Sequence, residues 1–444
     1  MKRTLIQDSA NLPSGTKVTV EGWVHSKRDH GKITFLDIYD RTGTVQIVGM
    51  GDEIRDLRSQ YVVRIEGTVQ NRPDQTVNEK MPTGKIEIKA EKIETLSKAE
   101  ELPFDMGAQE LDLQLPTLLD FRSLTLRHPK VKSIFKVQAA LLEGFRKAAE
   151  KLGCVEIVVP TIAASSTEGG AEVFKIDYYG NKAFMTQSPQ LYKQMLVPVF
   201  ERVFTIAHAY RAEPSVTTRH LSEATQLDCE IGFVDFEELL NLLEDVAQTM
   251  LKHVEANCRE IFEEYSLKKI AYGKIPRLTL REAQEIIFKE FKRDNRKEKD
   301  LAPQDEVDIC KWALENHQSD FVTITKFPMS AKPFYTKPDP KDSEYSLSYD
   351  LLFRGVEVLS GSQRINDYNQ LVEAIKAKGM DPKSFELYLQ AFKYGMPPEG
   401  GFSFGLERVT MHILNLKNVR EASLFPRDME RVDIRLSTLK EKKK

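Results

Sequence analysis

Short runs of alternating apolar and polar residues fill the first hundred positions of the chain. Gly, Pro, Asp and Asn separate the runs, which read "KVTVEGWVHS", "KITFLDIYDRTGTVQIVGM", "YVVRIEGTVQNRP" and "GKIEIKAEKIETL". A period of two places every second side chain on the same face of a strand. Five or so strands in about eighty residues predict a small β-barrel, of either the OB type or an SH3-like type.

The pattern then changes to a helical spacing. The stretch "SKAEELPFDMGAQELDLQLPTLLDFRSL" has two prolines and no sustained period, which predicts a hinge over 105–130 between domains 1–104 and 131–444. The next segment predicts a helix that stops at Gly153. Its apolar face consists of Ile134, Phe135, Leu141, Leu142, Phe145 and Leu152. The following "CVEIVVPTI" predicts a buried strand that ends at Pro160.

Residues 234–320 are mostly helical in pattern and rich in charge. They begin with a long amphipathic segment, "DFEELLNLLEDVAQTMLKHVEANCREIFEEY". No catalytic motif is present there. We therefore expect a helical insertion, or a layer of helices packed against a sheet that the flanking strands form.

Charged residues alternate with apolar ones in "QLDCEIGF". Gln226, Asp228 and Glu230 should point to one face of a strand, and the residues between them to the other. A solvated sheet face would explain this alternation alone. However, the strand-like "VFTIAHAYRAE" and the connection "PSVTTRH" bring further ionisable groups to the same hairpin, namely Arg211, Glu213, Arg219 and His220.

A second predicted hairpin, "SLSYDLLFRGVEVLSGSQRI", carries two carboxylates. A two-residue turn at Arg354-Gly355 would pair Leu352 with Glu357 and place Asp350 diagonally across on the same face. The two Cβ atoms would then be roughly 7–8 Å apart, close enough to share a hard cation such as Mg²⁺. The alternative is a solvent-facing hairpin, although the surrounding apolar residues favour a covered sheet.

Three further segments carry candidate chemistry. In "EGGFSFGLERVTMHILNL" a glycine-rich turn precedes a helix with Glu407 and Arg408 in its first turn, which favours an anion there. "MTQSPQLYKQML" presents Gln190 and Lys193 on one helical face, although a lysine at such a position is usually solvated. "SSTEGGAEVF" contains Glu168 and fits either a mobile lid or a surface turn.

Composition narrows the class of protein. Of 444 residues, 41% are hydrophobic and 30% are charged, with a net charge of −3, so any nucleic acid would have to be bound by a local basic patch. The four cysteines lack metal-type spacing, which argues against disulfides and zinc. Neither a signal peptide nor a membrane-spanning run is evident, so we expect a cytoplasmic protein without membrane contact.

Taken together, the motifs resemble the class II aminoacyl-tRNA synthetases, and within them the aspartyl-tRNA synthetases of the archaeal type. "YRAE" with "RHLSEATQLDCEIGF" is similar to the second class signature, and "GFSFGLERV" is similar to the third. The aspartyl subgroup is indicated by "QSPQLYKQ", "KPFYT", "SGSQRI" and "LFPRD". The resemblance implies an α+β protein: an N-terminal OB-type barrel, then an antiparallel sheet flanked by helices. It also implies a homodimer that packs through the helix and strand ending at Pro160.

The resemblance implies roles for the residues around ATP. Arg211 would hold the α-phosphate, Glu213 would contact the adenine side, and Arg408 would bind the γ end. The outer phosphates would be reached by Arg219 and His220. Mg²⁺ would be held by Asp350 and Glu357, with Ser360 as an additional ligand.

The implied amino-acid substrate is L-aspartate. By resemblance its side-chain carboxylate would be bound by Lys193 and Arg364, its ammonium group by Asp228 and its α-carboxylate region by Gln190, with Glu168 on a lid. Asparaginyl enzymes lack a lysine in the motif that contains Lys193. One departure concerns Glu399, where archaeal relatives often have His; the sequence offers no explanation for it.

The barrel would bind the anticodon of tRNA. Phe35 is a candidate base-stacking platform, Gln46 a base-edge partner and Arg28 a phosphate or base contact, although without the family resemblance the sequence favours Phe35 as a core residue of the barrel. Strict archaeal forms have Trp in place of His25 and Lys near Pro82, so this chain resembles the non-discriminating form, which charges both tRNA-Asp and tRNA-Asn. Such an enzyme would need a tRNA-dependent amidotransferase downstream.

Three rival functions stay open. An asparaginyl-tRNA synthetase is disfavoured by Lys193. A synthetase-like asparagine synthetase is disfavoured by the N-terminal β-domain. A non-catalytic RNA-binding paralogue typically loses motif arginines or metal carboxylates, whereas Arg211, Arg408, Asp350 and Glu357 are all present here.

Overall fold

A computed structural model describes residues 2–79, 81–108, 110–165, 172–214 and 217–441. The chain divides into two compact units, Met1–Gln114 and Leu115–Lys444. The division falls inside 105–130, where the sequence predicts a hinge, and that stretch includes the helices α3 (Leu115–Asp120) and α4 (Arg122–Thr125). No helix in the described ranges has the length and apolarity needed to cross a membrane.

The alternating runs of the N-terminal unit form a closed five-stranded barrel. Its strands are β1 (Lys17–His30), β2 (Ile33–Tyr39), β3 (Thr44–Met50), β4 (Val62–Asn71) and β5 (Ile86–Ser97), with the short helices α1 (Ile6–Ser9) and α2 (Asp52–Arg55). The order β1-β2-β3-β5-β4 closes by pairing β1 with β4. This order selects the OB type from the two predicted barrels. Inward-facing Val, Ile and Leu residues, among them Val20, Leu36, Ile47 and Ile65, fill the interior.

The larger unit is built on an eight-stranded, mainly antiparallel sheet in the order β12-β13-β14-β15-β16-β11-β10-β6. These strands are β6 (Val155–Glu156), β10 (Arg202–Tyr210), β11 (Glu223–Gly232), β12 (Arg277–Thr279), β13 (Phe321–Thr325), β14 (Ser348–Phe353), β15 (Val356–Gln363) and β16 (Glu399–Gly405). A small second sheet contains β7 (Ile162–Ala163), β8 (Lys175–Tyr178) and β9 (Asn181–Met185). The predicted α+β class is therefore confirmed.

The larger unit also contains helices, and the amphipathic ones bury their apolar faces against this sheet or against one another. They are α5 (Pro129–Lys151), α6 (Gln190–Met195), α7 (Val197–Phe200), α8 (Phe236–Asn257), α9 (Arg259–Glu264), α10 (Leu280–Phe291), α11 (Pro303–His317), α12 (Tyr368–Ala377), α13 (Glu386–Lys393), α14 (Leu406–Ile413) and α15 (Leu436–Glu441). Helix α5 buries the predicted Ile134, Leu141 and Phe145, and Gly153 follows its end with φ +76°. Helix α8 shares that main core, whereas α10 and α11 form a second core with β13.

Two predictions about local structure are wrong. The run "CVEIVVPTI" forms only the two-residue strand β6 at the edge of the sheet, and Val158 is 97% exposed. Within the described residues strand β6 pairs only with β10; Val155 and Val158 are exposed, whereas Cys154 and Ile157 are buried. Gly400 and Gly401 lie inside β16 rather than in a turn before a helix. A Cβ on Gly400 would lie 2.2 Å from the Leu239 side chain, so close packing of α8 against β16 requires a glycine there.

Candidate functional site

One cleft in the larger unit gathers most of the predicted site residues. Its volume is about 250 Å³, and its lining includes Gln190, Lys193, Arg211, Arg219, His220, Asp228, Glu357, Ser360, Arg364 and Arg408. Glu213 lies next to these residues, because its carboxylate is 3.8 Å from His220 Nε2. Asp350 forms an ion pair with Lys332, which lines the cleft. Residues that are far apart in sequence therefore form one highly charged cavity.

Strand β11 supplies the floor of the cleft. Leu227, Cys229 and Ile231 point into the main core, as the alternation predicts. Asp228 and Glu230 occupy the opposite face and are also buried. The alternative of a solvated polar face is therefore wrong, because side chains from α6 and β15 cover it.

The covered charges form a cluster of alternating sign, which we call the buried charge cluster: Lys193, Asp228, Glu230 and Arg364. Lys193, only 1% exposed, has its Nζ 2.7 Å from Asp228 and 3.1 Å from Glu230. Arg364 Nε donates to one oxygen of Glu230 at 2.8 Å, and its Nη2 donates to the other at 3.2 Å. Ser403 donates a further hydrogen bond to Asp228 at 3.0 Å.

The cluster keeps its charges despite burial. Loss of hydration by itself would lower the pKa of Lys193, but Asp228 and Glu230 outweigh that effect and the pKa is raised. Loss of hydration would raise the pKa of Glu230, but Arg364 and Lys193 lower it to about 2. The alternative that Lys193 is a solvated surface lysine is wrong. Burial, opposed by Lys193, raises the pKa of Asp228. The cleft thus holds two cations beside the carboxyl groups of Asp228 and Glu230. Glu230 belongs to the same alternation as Asp228, but no sequence motif indicates its role.

The carboxylate hairpin forms as predicted, with one added feature. Arg354 and Gly355 make the two-residue turn with positive φ at both positions, and Leu352 pairs with Glu357. A β-bulge follows, so that Leu351 faces Leu359 and Asp350 faces Ser360. In a regular strand, residues 357 and 360 would point to opposite faces. The extra residue, Val358, brings Glu357 and Ser360 to the same face as Asp350.

Asp350 lies beside one cation and keeps one oxygen without a donor. Lys332 Nζ is 3.3 Å from Asp350 Oδ2, whereas Oδ1 is buried and has no hydrogen-bond partner among the described residues. Loss of hydration, followed by the charge of Asp350, raises the pKa of Glu357. No group of three or more His, Cys, Asp or Glu residues in the described chain is placed to hold a metal. The hairpin offers two carboxylates, Asp350 and Glu357, and the hydroxyl of Ser360.

Two of the three arginines that the resemblance assigns to the phosphates of ATP contact a carboxylate. Arg219 Nη1 lies 3.0 Å from Glu306, and Arg408 Nη1 lies 3.5 Å from Glu357. Burial, opposed by Arg219, raises the pKa of Glu306 to about 7. Glu306 belongs to α11, in the region where the sequence shows no catalytic motif, and only tertiary packing brings it here. Lys332 belongs to the "KPFYT" motif, which by itself indicates no role for it.

The predicted nucleic-acid residues share the outer surface of the barrel. Arg28 is paired with Phe35 across β1 and β2, and its guanidinium donates to Gln46 at 3.3 Å and lies 3.0 Å from Asp37. Phe35 is half-buried and packs edge-to-face on His30 at 5.8 Å between ring centroids, outside the barrel core. The alternative that Phe35 is a core residue is therefore wrong. Arg28 and Phe35 therefore lie beside Gln46, which is buried and whose Nε2 donates to Glu87 at 2.8 Å.

The remaining predicted residues are dispersed. His25 lies at a bulge of β1 and packs edge-to-face on Tyr39 at 6.0 Å. Pro82 is exposed in the turn that precedes β5. Glu168, the predicted lid residue, lies outside the described residues.

Comparison with protein families assigns both units. Residues 114–429 match the family model described as tRNA synthetases class II (D, K and N), and residues 18–96 match the OB-fold nucleic acid binding domain. Among solved structures, an asparaginyl-tRNA synthetase from Pyrococcus horikoshii in complex with asparaginyl-adenylate superposes with a TM-score of 0.88 at 31% identity. The alignment covers 97% of this chain and 99% of that one.

Curated relatives are similar over nearly the full chain. The aspartate–tRNA(Asp/Asn) ligase of Thermus thermophilus is 40% identical, with 97% of this chain and 99% of that protein covered. The aspartate–tRNA(Asp) ligase of Pyrococcus abyssi is also 40% identical, with 94% and 96% covered. The family match, the identity and the coverage all agree with the motifs and the charged cleft, and the chain belongs to the class II tRNA synthetases of the D, K and N group.

Proposed function

We propose that this chain is an aspartate–tRNA ligase, which activates L-aspartate with ATP and transfers it to the 3′ end of tRNA. The observation that carries the proposal is the pair of buried cations, Lys193 and Arg364, in the same cleft as Arg211, Arg219 and Arg408. A cleft of this kind can hold an amino-acid carboxylate beside a triphosphate. The aspartate–tRNA ligases among the curated relatives support the same choice.

The first step needs no protein nucleophile. The α-carboxylate of aspartate attacks the α-phosphorus of ATP, and pyrophosphate leaves while negative charge remains on phosphate oxygens. Arg211 would hold the α-phosphate, and Arg219, His220 and Arg408 would hold the outer phosphates. Guanidinium groups that are already positioned stabilise this charge without reorganisation. Glu306 contacts Arg219 and Glu357 contacts Arg408, so phosphate oxygens would take the place of a carboxylate at each arginine.

The carboxylate hairpin fits Mg²⁺. Asp350 has a buried oxygen without a hydrogen-bond partner among the described residues, and Glu357 and Ser360 share its face. Oxygen donors of this kind suit a hard divalent cation. When bound, Mg²⁺ would neutralise phosphate charge. Asp350, Glu357 and Ser360 would hold it.

Selection of aspartate over asparagine would depend on charge. The two amino acids are nearly isosteric, so a pocket cannot separate them by shape alone. Lys193 and Arg364 would bind the side-chain carboxylate, Asp228 the ammonium group and Gln190 the α-carboxylate region. Because the hydrogen bonds of both cations are oriented by Asp228 and Glu230, the pocket is preorganised.

The barrel would bind the anticodon, and tRNA-Asn would be charged as well as tRNA-Asp. Support for the second substrate comes from His25 and Pro82, which match the non-discriminating pattern. Overall identity cannot decide this point, because relatives at 40% identity include both an Asp/Asn and an Asp-only ligase. A tRNA-dependent amidotransferase would then convert aspartyl-tRNA-Asn. Because its proposed substrates are tRNAs, we also propose that the protein is cytoplasmic.

A homodimer completes the proposal. The edge strand β6 leaves Val155 and Val158 exposed, and the neighbouring Val199 and Phe200 are exposed as well. Exposed apolar residues at a sheet edge are typical of a surface that another chain covers. A second copy of this chain is the occupant we propose.

ATP–pyrophosphate exchange without tRNA, with aspartate or asparagine as the amino acid, tests the activation step. We expect exchange with aspartate only. Exchange with asparagine only would indicate an asparaginyl enzyme, and no exchange with either would indicate a non-catalytic paralogue. Charging of tRNA-Asp and tRNA-Asn at equal concentration tests the dual specificity, which strict rejection of tRNA-Asn would disprove.

A further inference from the structure

Glu399 is a buried carboxyl group next to the buried charge cluster, and neither the sequence motifs nor the proposed chemistry uses it. It is the first residue of β16, its side chain is fully buried, and its carbonyl accepts a hydrogen bond from the Arg364 backbone at 3.0 Å. Gln194 Nε2 donates to Glu399 Oε1 at 2.7 Å. Tyr388 donates to the Gln194 amide oxygen at 3.1 Å, which orients that amide. Glu399 Oε2 has no donor among the described residues.

The sheet register brings Glu230 to that free oxygen. Glu230 pairs with Gly401, and Glu399 lies two residues earlier on the same strand, so the two glutamates are diagonal neighbours on one face. A Cβ on residue 401 would lie 2.2 Å from Glu230 Oε2, so the carboxylate of Glu230 uses the space that Gly401 leaves open. Two buried carboxyl groups in contact share a hydrogen bond only when one of them carries a proton.

The surroundings decide which carboxyl carries the proton. Glu230 is bound by Arg364 through two hydrogen bonds and by Lys193 at 3.1 Å, which favours its ionised form. Glu399 has one amide donor, and the groups that face it are Glu230, Arg364 and the hydroxyl of Tyr388. Burial, and next the negative charge of Glu230, raises the pKa of Glu399 well above its usual range.

We propose that Glu399 is a neutral carboxylic acid that donates a hydrogen bond from Oε2 to Glu230, and that aspartate binding depends on this neutral state. The proposal rests on the proposed function. With Glu399 neutral, the cations Lys193 and Arg364 balance the anions Asp228 and Glu230. An ionised Glu399 would add an uncompensated negative charge, which would repel the side-chain carboxylate of aspartate. Asparagine, with an uncharged side chain, would be repelled less.

Glu399 would act as a positioning residue. Its proton would form a hydrogen bond with the Glu230 carboxylate on the side that Arg364 leaves free. Glu230 would then stay aligned and hold Arg364 and Lys193 in place. Loss of the donated hydrogen bond should therefore change the KM for aspartate more than kcat, and should leave the KM for ATP unchanged.

Two neutral variants of similar size test the hydrogen bond to Glu230 separately from the charge of residue 399. Glu399→Gln is neutral and can still donate to Glu230, whereas Glu399→Met is neutral and cannot. Glu386→Gln, which removes an exposed carboxylate from α13, is the control. In ATP–pyrophosphate exchange at neutral pH we expect Glu399→Gln and the control to keep the wild-type KM for aspartate. We expect Glu399→Met to raise that KM about tenfold, the loss of one buried hydrogen bond to a charged group. Thermal unfolding verifies that both variants fold.

An infrared difference spectrum supplies a direct signature. Wild type minus Glu399→Gln at neutral pH should contain the carbonyl-stretching band of a protonated carboxylic acid. Once rising pH removes that band, the wild-type KM for aspartate should increase by up to about tenfold per pH unit, while that of Glu399→Gln stays constant.

Three results would overturn the inference: the band is missing, Glu399→Gln is as impaired as Glu399→Met, or Glu399→Met binds aspartate normally. Absence of aspartate-dependent exchange in the wild type would instead disprove the proposed function. The two failures are therefore distinguishable.

Discussion

Lys193 and Arg364 keep their positive charges inside the protein because Asp228 and Glu230 lie beside them. The sequence motifs indicate Lys193, Asp228 and Arg364 individually. They do not indicate that Glu230 contacts both cations, because that contact joins β11, α6 and β15. At the scale of residues, the sequence therefore predicts which groups act, and the structure adds which groups hold them in place.

Replacing Lys193 by Met should abolish aspartate activation and destabilise the fold. The change leaves Asp228 and Glu230 buried beside a single cation, and breaking a buried ion pair costs about 3–5 kcal/mol. We expect at least about a hundredfold loss of aspartate-dependent exchange, a fall of about 2.7 kcal/mol in transition-state binding, together with a lower unfolding free energy in urea. The control is Lys147→Met, which breaks an exposed pair with Glu143 and should change stability by less than about 1 kcal/mol. Normal aspartate exchange in Lys193→Met would contradict the assigned pocket.

Replacing Asp350 by Asn should raise the Mg²⁺ concentration needed for exchange. The amide keeps the shape but removes one of the two charges that attract the cation, so we expect a shift of about tenfold, or about 1.4 kcal/mol. The measurement is a Mg²⁺ titration of the exchange rate. Asp245→Asn, which removes an exposed carboxylate on α8, should not shift the titration. An unchanged midpoint in Asp350→Asn would exclude Asp350 as a ligand.

Strands β11, β14, β15 and β16 show what a pattern predicts at the scale of an element. Alternation predicts both faces of β11, and the Arg354-Gly355 pair predicts the turn of the carboxylate hairpin. The bulge at Val358 has no comparable signal, since it depends on how β15 packs between β14 and β16. For the same reason, the glycines of β16 resemble a loop in sequence but occupy a strand that is crowded by its neighbours.

Gly401→Ala should impair both stability and aspartate binding. The added methyl would lie 2.2 Å from the Cys229 carbonyl oxygen and from Glu230 Oε2, so backbone and pocket must both move. Overpacking of this kind costs about 1–3 kcal/mol. Thermal unfolding and the KM for aspartate are the measurements. Gly43→Ala, whose added methyl would lie 3.9 Å from the Ile6 side chain, should leave both unchanged. Wild-type behaviour in Gly401→Ala would refute the close packing.

Phe35→Ala on the outer surface of the barrel should weaken tRNA charging without affecting exchange in the absence of tRNA. Stacking of a base on an aromatic ring contributes about 1–3 kcal/mol, so we expect the KM for tRNA to rise about five- to a hundredfold. Comparison of aminoacylation with pyrophosphate exchange checks this separation. Met50→Ala, an exposed apolar residue at the end of β3, is the control. Equal losses in both assays would indicate a folding defect instead.

At the scale of the whole molecule, each of the two units has its own hydrophobic core. Among the described residues nothing covers Val155 and Val158 at the β6 edge, although the apolar sequence there resembles a buried strand. A second copy of the chain would account for both observations.

Val158→Glu should convert a dimer into a monomer. Val158 is 97% exposed, so a charged side chain is tolerated in a single chain but not inside an apolar interface. Light scattering after size-exclusion chromatography measures the mass. Met50→Glu places the same charge on an exposed position of the barrel and should stay dimeric. A monomeric wild type, or a dimeric Val158→Glu, would remove β6 from the interface.

By itself, the sequence determined a small β-barrel and the two hairpins, because alternation and turn residues are local properties of the chain. The resemblance of its motifs to a known family indicated the antiparallel sheet and most of the charged residues of the cleft. Only the tertiary structure decided the OB strand order, the shift at Val358, the short exposed β6 and the contacts of Glu230, Glu306 and Glu399. These features depend on which distant segments pack together and on which buried charges then become neighbours, and no local pattern records that information.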